Sequence, residues 1–226
     1  NNTMAKLFKG QGYAVNAFHM NSSEFYSRGI NYKSWGYDNY YGLKDMLSDK
    51  DKEDLSYELD RKLIEDKTFY NKMFNENDKF VDYIISYTPH TPFTAEKEVG
   101  KLVAQMKYGN GKVPNLSEEQ VADLMVGETD HMVGLLIQAL KDNGLYDNTV
   151  IVAYADHYLY TINDKSVLDK YKETDNNLIN RTPFFIWSND VKAEKIGKTN
   201  MQMNILPTVL NLFGIDYNSN YYIGKD

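Results

Sequence analysis

The chain is expected to fold as an α/β protein, a mostly parallel sheet flanked by helices. Two observations carry that expectation. Short apolar runs that read as strands alternate with longer stretches of helical periodicity. The clearest run, Thr149-Val-Ile-Val-Ala-Tyr-Ala155, is rich in β-branched residues and leads directly into Asp156-His157. Such a run reads as a buried strand of the parallel type. Its carboxyl end is where open α/β sheets bind ligands.

The elements follow in order. Gly12–Phe18 reads as a short strand running into the polar patch His19–Arg28. From Asp49 to Asn75 the chain is charge-rich, with Leu55, Leu59, Leu63 and Ile64 at helical spacing, which predicts one or two amphipathic helices. Lys79–Ser86 is the next strand, and it enters Thr88-Pro-His-Thr-Pro-Phe93. Two prolines there forbid both a helix and a central strand, so this is a fixed irregular loop. Gly109–Pro114 reads as a surface connector. Ser117 and Gln120 stand at the two positions of a capping box. The stripe Val121, Leu124, Met125, Met132, Leu135, Leu136, Ala139 and Leu140 continues the helix, and Gly144 stops it. Tyr158–Asn180 is polar and reads as loop with room for a short helix, and Thr182–Trp187 as a further strand. A last helix takes Asn204 as cap, holds Pro207 in its first turn and closes at Gly214.

Composition narrows the function classes. A chain of 226 residues has ample material for a core. A net charge of -7 argues against general nucleic-acid binding, so an anionic substrate needs local positive charge from an arginine or a metal. The absence of cysteine excludes disulfides and thiol chemistry. No apolar run reaches membrane-span length, and no signal peptide is visible.

Three predicted strands end in candidate functional residues, and loops leaving one edge of a parallel sheet converge. Asp156 and His157 are an oxygen and a nitrogen donor suited to Mn²⁺ or Zn²⁺. The alternative makes Asp156 a loop cap and His157 a surface residue. Arg28 has the planar fork that binds a phosphate or carboxylate bidentately, or it is a solvated surface arginine. His90, between its prolines, can hydrogen-bond or move a proton, or it is a lone loop histidine. Tyr26 has a ring that can stack and a phenol that can donate a hydrogen bond, and Asn21 a carboxamide that can hydrogen-bond. Asp130-His131 repeats the dipeptide in mid-helix, where neighbours point about 100° apart, and reads as helix surface. His19 reads as a loop or core histidine rather than a ligand.

Three patches together resemble one family. Gly144–Val152 leading into Asp156-His157 is similar to the sulfatase-like branch of the alkaline phosphatase superfamily, and within it to lipoteichoic acid synthases and related phosphotransferases. His19-Met-Asn-Ser-Ser-Glu-Phe-Tyr-Ser-Arg28 with Tyr32–Asp38 resembles the synthase segment that holds glycerophosphate. Gln202–Ile215 resembles the helix that closes these domains. The resemblance runs over essentially the whole chain in order. It implies a sulfatase/alkaline-phosphatase-like fold, with residues 1–226 as the carboxyl-side portion of one catalytic domain, cut at both ends.

The resemblance also assigns roles. Asp156 and His157 would ligate a divalent metal, manganese first, with zinc or magnesium as alternatives. Asn21, Tyr26, Arg28 and His90 would bind substrate, Asn21 standing where the synthases carry aspartate and Tyr26 where they carry tryptophan. The threonine, serine or formylglycine nucleophile would lie upstream, along with a further acidic ligand, since Thr3 does not match its position. The parent would form a phospho-threonine intermediate. It would move glycerophosphate from a headgroup such as phosphatidylglycerol onto a polyglycerophosphate or glycan acceptor, without nucleic acid. It would work on the extracellular face of a bacterial membrane, anchored by a segment outside this chain, which itself would be soluble and inactive. A sulfatase or phosphodiesterase that hydrolyses the ester is the alternative enzyme. A non-catalytic anion-binding module is the alternative of another class.

Overall fold

The computed structural model describes residues 2–74, 79–170, 182–198 and 200–224. Helix α1 spans Met4–Gly10, strand β1 Ala14–His19, helix α2 Arg28–Trp35, strand β2 Asn39–Gly42 and helix α3 Leu43–Met46. Helices α4 and α5 span Lys62–Glu65 and Lys67–Tyr70, strand β3 Phe80–Ile85, and helices α6 and α7 Glu98–Tyr108 and Glu118–Asp142. Strand β4 spans Ile151–Tyr154, helix α8 Lys165–Asp169, strand β5 Phe184–Trp187 and helix α9 Ile205–Leu212. They fall into two units, one of Asn1–Asp51, Asp66–Ile85 and Glu194–Asp226, the other of Lys52–Glu65 and Ser86–Ala193.

The first unit is built on a parallel sheet of order β2-β1-β3. Its central strand is the most buried of the three, with Val15, Ala17 and Phe18 fully buried. Helix α1, which the sequence reading did not single out, starts at Thr3, whose hydroxyl accepts from the Lys6 amide. It buries Ala5 and Phe8, and the Phe8 ring meets Tyr13 and Phe213 edge-on, each at 5.2 Å. Tyr32 holds α2 down, packing on Tyr37 at 4.8 Å and Tyr40 at 5.0 Å. Across the sheet Asn39, Asn16 and Asp82 sit in register, and the Asn39 amide donates to Asn16 at 2.9 Å.

The second unit packs α6 and α7 around Val99, Val103, Val121 and Met125, joined by Leu59, Phe93, Ile162 and Val167. The expected capping box is present: Ser117 accepts from the Gln120 amide and Gln120 from the Ser117 amide. Of the expected stripe, Val121, Met125, Met132, Ala139 and Leu140 are buried, and Leu124, Leu135 and Leu136 are half-buried. Gly144 ends the helix at φ +67, a left-handed conformation that favours glycine.

Three expectations are corrected. The strand before Asp156 pairs antiparallel with β5, in the register Ile151↔Trp187 to Tyr154↔Phe184, and is half-buried. Apolarity reports burial, and an apolar run carries no information about the direction of its partner. The charge-rich stretch after Asp49 is broken into 3₁₀ turns at Asp51–Glu53 and Leu55–Glu58 and the four-residue helices α4 and α5. There Asp54 and Asp66 accept from the amides two residues on, Ser56 and Thr68, and each restarts the chain in a new turn. Leu59 and Leu63 are buried all the same, while Asn75 lies outside the described residues. Asn204 makes no side-chain cap, because a 3₁₀ turn over Gln202–Asn204 feeds straight into α9. Of Tyr158–Asn180, α8 supplies the short helix, and residues 171–180 lie outside the described residues.

The polar row across the sheet has a thermodynamic consequence. Burial pushes the Asp82 carboxyl up from its ordinary 3.8 to about 6, only partly offset by the Phe74 amide, 3.0 Å from Oδ2, and by Asn16. A carboxyl that binds its proton more tightly when folded stabilises the fold below its unfolded pKa, and that stability is lost as pH rises through the folded value. Asp82→Asn should therefore flatten the fall in urea midpoint between pH 4 and pH 6. It should gain about 1–3 kcal/mol at pH 7 relative to the parent. An unchanged pH profile in the variant would show that Asp82 is ionised at little expense.

Candidate functional site

In the first unit, the loop after β1 carries Asn21, Tyr26 and Arg28. It is shaped by a close approach at Gly42, where a Cβ would lie 2.7 Å from the Asn21 carbonyl, the Ser23 nitrogen and an Asp45 oxygen alike. The Ser23 amide donates to that Asp45 carboxylate at 2.8 Å, and Asn21 Oδ1 accepts from the Ser22 amide at 2.8 Å. Tyr26 and Ser27 both take left-handed backbone, φ 51 and φ 52, which non-glycine residues rarely adopt. Asn31 steadies the turn by donating to the Tyr26 carbonyl at 3.1 Å. The strained turn leaves the Tyr26 ring 77% exposed beside Phe25, with 4.4 Å between ring centres.

Arg28 opens α2 and is backed from beneath. Its Nη1 lies 3.0 and 3.1 Å from the two ring nitrogens of buried His19. Its guanidinium carbon is 5.4 Å from the Phe25 ring centre, and Tyr40 stands 3.1 Å from His19 Nδ1. Burial pushes the Tyr40 phenol up to about 12 against the pull of the Arg28 charge, so it stays protonated. A guanidinium held against an imidazole and a phenyl ring has a pre-set fork, the arrangement that recognises a phosphate.

In the second unit, His90, Asp156 and His157 are brought together. Asp156 and His157 follow β4 by one residue, and Asp156 Oδ1 lies 3.6 Å from His157 Nε2. Two ligands at ~2.1 Å on one tetrahedral ion lie about 3.4 Å apart, so one ion can be reached from both. His157 Nδ1 is 2.9 Å from the Tyr158 carbonyl, which makes Nδ1 the donor and leaves Nε2 as the nitrogen nearest the Asp156 carboxylate. His90 repeats the arrangement, with Nδ1 3.0 Å from the Thr91 carbonyl. Its ring stands nearly perpendicular to that of His157, 6.2 Å away. One carboxylate oxygen and one imidazole nitrogen suit a divalent ion of borderline hardness. Among the described residues no third His, Cys, Asp or Glu completes a metal cluster.

The remaining sequence candidates fall into place. Asp130 and His131 are both exposed on α7, as expected of helix surface. Thr3 is occupied as the cap of α1 and also donates to the Trp35 carbonyl. His19, read as a loop or core histidine, is buried and lies under Arg28. One residue escaped the sequence reading. Asp60 is buried and accepts from the Tyr87 and Thr88 amides at 2.7 and 3.0 Å, within the His90 loop. Its setting among charged neighbours gave no signal at all. Burial pushes its carboxyl up to about 6 despite these bonds.

The sulfatase family model matches residues 1–215. The chain belongs to the sulfatase family. It is 31% identical over 239 residues to a lipoteichoic acid synthase of Staphylococcus aureus strain USA300, and 28% identical over 236 residues to that of Staphylococcus saprophyticus. Each alignment takes in 98% of this chain and 34% of the synthase, so the chain spans about a third of the length of these relatives. Among solved structures, the lipoteichoic acid synthase LtaP of Listeria monocytogenes superposes with a TM-score of 0.76 at 25% identity, over 99% of this chain and 55% of that one. An alkaline phosphatase superfamily protein of Vibrio parahaemolyticus shares the fold at a TM-score of 0.62 and 20% identity, over 99% of this chain and 50% of the other. The α/β fold with a parallel sheet is thus the sulfatase family's own. Among the described residues no helix is long and apolar enough to cross a membrane.

The two-donor pair sets an expectation for metal binding. Structural and catalytic ions usually take three or four protein ligands, so titration calorimetry of this chain with Mn²⁺ or Zn²⁺ should give weak binding that Asp156→Ala removes. Tight one-to-one binding that survives Asp156→Ala would move the metal to other residues.

Proposed function

We propose that this sulfatase-family chain carries the phosphate-binding and part of the metal-binding machinery of a phosphotransferase. Its reaction would move a glycerophosphate unit from a phospholipid headgroup such as phosphatidylglycerol onto a growing cell-envelope polymer or glycan. The observation that carries this reading is the Asp156–His157 pair, two donors 3.6 Å apart with His157 Nδ1 held by the Tyr158 carbonyl, in a chain of which 98% aligns with a lipoteichoic acid synthase. A phospholipid donor sets the place of work at a membrane surface, on the extracellular side where an envelope polymer is built.

The geometry supports a role for each residue. Arg28 holds the phosphoryl oxygens by charge-assisted hydrogen bonds, which a protein of net charge -7 must supply locally. Tyr26 offers an exposed ring against the glycerol unit, and Asn21 a carboxamide beside it. His90 is tethered through Nδ1, so Nε2 is the nitrogen left to meet a phosphoryl or leaving oxygen, to which it hands a proton when the ring is an imidazolium. Asp156 and His157 hold a divalent ion, manganese first and zinc or magnesium otherwise. When bound, the ion supplies positive charge against that developing on the transferred group. We assign no nucleophile among these residues.

The test uses the protein expressed from its whole gene. Arg28→Ala should lower kcat/KM by roughly ten- to a hundredfold, the equivalent of about 1.5–3 kcal/mol. His90→Ala should lower it by ~10²–10⁴-fold, as expected for a positioned acid–base group. Both variants should keep the metal, because neither residue is a proposed ligand. Wild-type turnover in both would remove these role assignments. Product analysis with phosphatidylglycerol then separates transfer from hydrolysis: growth of a glycerophosphate chain is expected, and release of glycerophosphate to water would make the protein a phosphodiesterase.

A further inference from the structure

We propose that Asp60 is the positioning residue for His90, acting through the two backbone amides that begin its loop. The proposal rests on the role given to His90 above. Asp60 has 0% exposure, and each of its carboxylate oxygens is committed. Oδ1 accepts from the Tyr87 amide at 2.7 Å, and Oδ2 from the Thr88 amide at 3.0 Å and the Thr129 hydroxyl at 3.4 Å. The contact is reciprocal, since the Asp60 amide donates to Thr88 Oγ1 at 2.7 Å and that hydroxyl donates to the Glu58 carbonyl at 3.2 Å.

The His90 loop is therefore held at both ends. Asp60 fixes Tyr87 and Thr88, and the buried ring of Phe93 fixes the far end in the core of the unit. Between them the His90 amide donates to the Tyr87 carbonyl at 3.1 Å, so a shift of Tyr87 is passed directly to His90. Asp60 is itself held from α7. Thr129 touches its carboxylate, and the adjacent Arg61 forms a two-pronged ion pair with buried Glu128. The chain of contacts thus runs from a 25-residue helix, through Asp60, to an exposed imidazole two residues beyond Thr88. An asparagine at position 60 keeps the shape but can offer an acceptor to only one of the two amides, and it brings an N–H against the other.

The experiment is a double-mutant cycle in the protein expressed from its whole gene, together with ring-nitrogen NMR of His90 in this chain. Asp60→Asn should lower kcat by about a hundredfold, the order expected of a small misplacement of a reacting group. KM should change little, because Arg28 is untouched. In a His90→Ala background the same substitution should cost less than about twofold, since coupled residues are non-additive. The His90 ring nitrogens should shift in Asp60→Asn, while those of His131, exposed on α7, stay in place. Thr88→Val, which removes the hydroxyl partner alone, is read in the same two ways if Asp60→Asn fails to fold. Equal losses in the presence and absence of His90, or unmoved His90 ring signals, would overturn the proposal. Wild-type turnover in His90→Ala would instead sink the functional reading, and the NMR measurement would still decide the positioning role.

Discussion

Irregular backbone leaves amides without ladder partners, and a buried or tightly turned loop cannot leave them bare. In this chain carboxylates answer that constraint at each segment that carries a candidate functional side chain. Asp45 takes the Ser23 amide ahead of Tyr26 and Arg28. Asp60 takes Tyr87 and Thr88 ahead of His90. Glu118 takes the Asn163 and Asp164 amides at 2.9 and 2.8 Å, behind Asp156 and His157. Each anchor is a short charged acceptor on a helix or a tight turn, so it transmits the rigidity of that element to the loop. A charge-assisted bond to a backbone amide is roughly twice as strong as a neutral one.

Seen this way, the acidity of the chain is structural as much as electrostatic. Several of its acidic residues are spent locally as amide acceptors, and the most buried of them bind their protons unusually tightly. The second unit concentrates its anchors on α7. Glu118 at the first turn holds the segment after Asp156 and His157, while Glu128 and Thr129 further along hold Arg61 and Asp60. One long helix thus steadies two loops, which is the condition for keeping a reactive constellation within fractions of an ångström.

The arginine of the first unit is handled by a different physics. No carboxylate neutralises it among the described contacts. It lies against an imidazole and a phenyl ring, which shape its position without cancelling its charge. The fork is thereby already oriented, so a phosphate bound there would need less ordering. The left-handed turn at Tyr26 and Ser27 is stored strain of the kind found where a ring must be presented rather than buried.

Much of the site was legible in the sequence because its signals are contiguous. Asp156 and His157 are neighbours at the end of an apolar run, His90 sits between two prolines, and Arg28 closes a polar patch directly after a strand. Their chemistry depends on residue type and short spacing, and both survive in a linear string. Likewise Ser117 and Gln120 cap α7 through contacts three residues apart, and α7 folded as read. The direction in which β4 pairs was decided by β5, thirty-odd residues on and no more than apolar in sequence. The helix expected after Asp49 was broken by aspartates whose side chains preferred nearby amides to solvent, a competition that periodicity does not register. Asp60 acquired its role from partners 27, 28 and 69 residues away. Sequence alone determined which groups could do chemistry. Only tertiary structure decided which carboxylates would hold them still, because an amide's need for an acceptor is met through space by whichever residue the fold delivers.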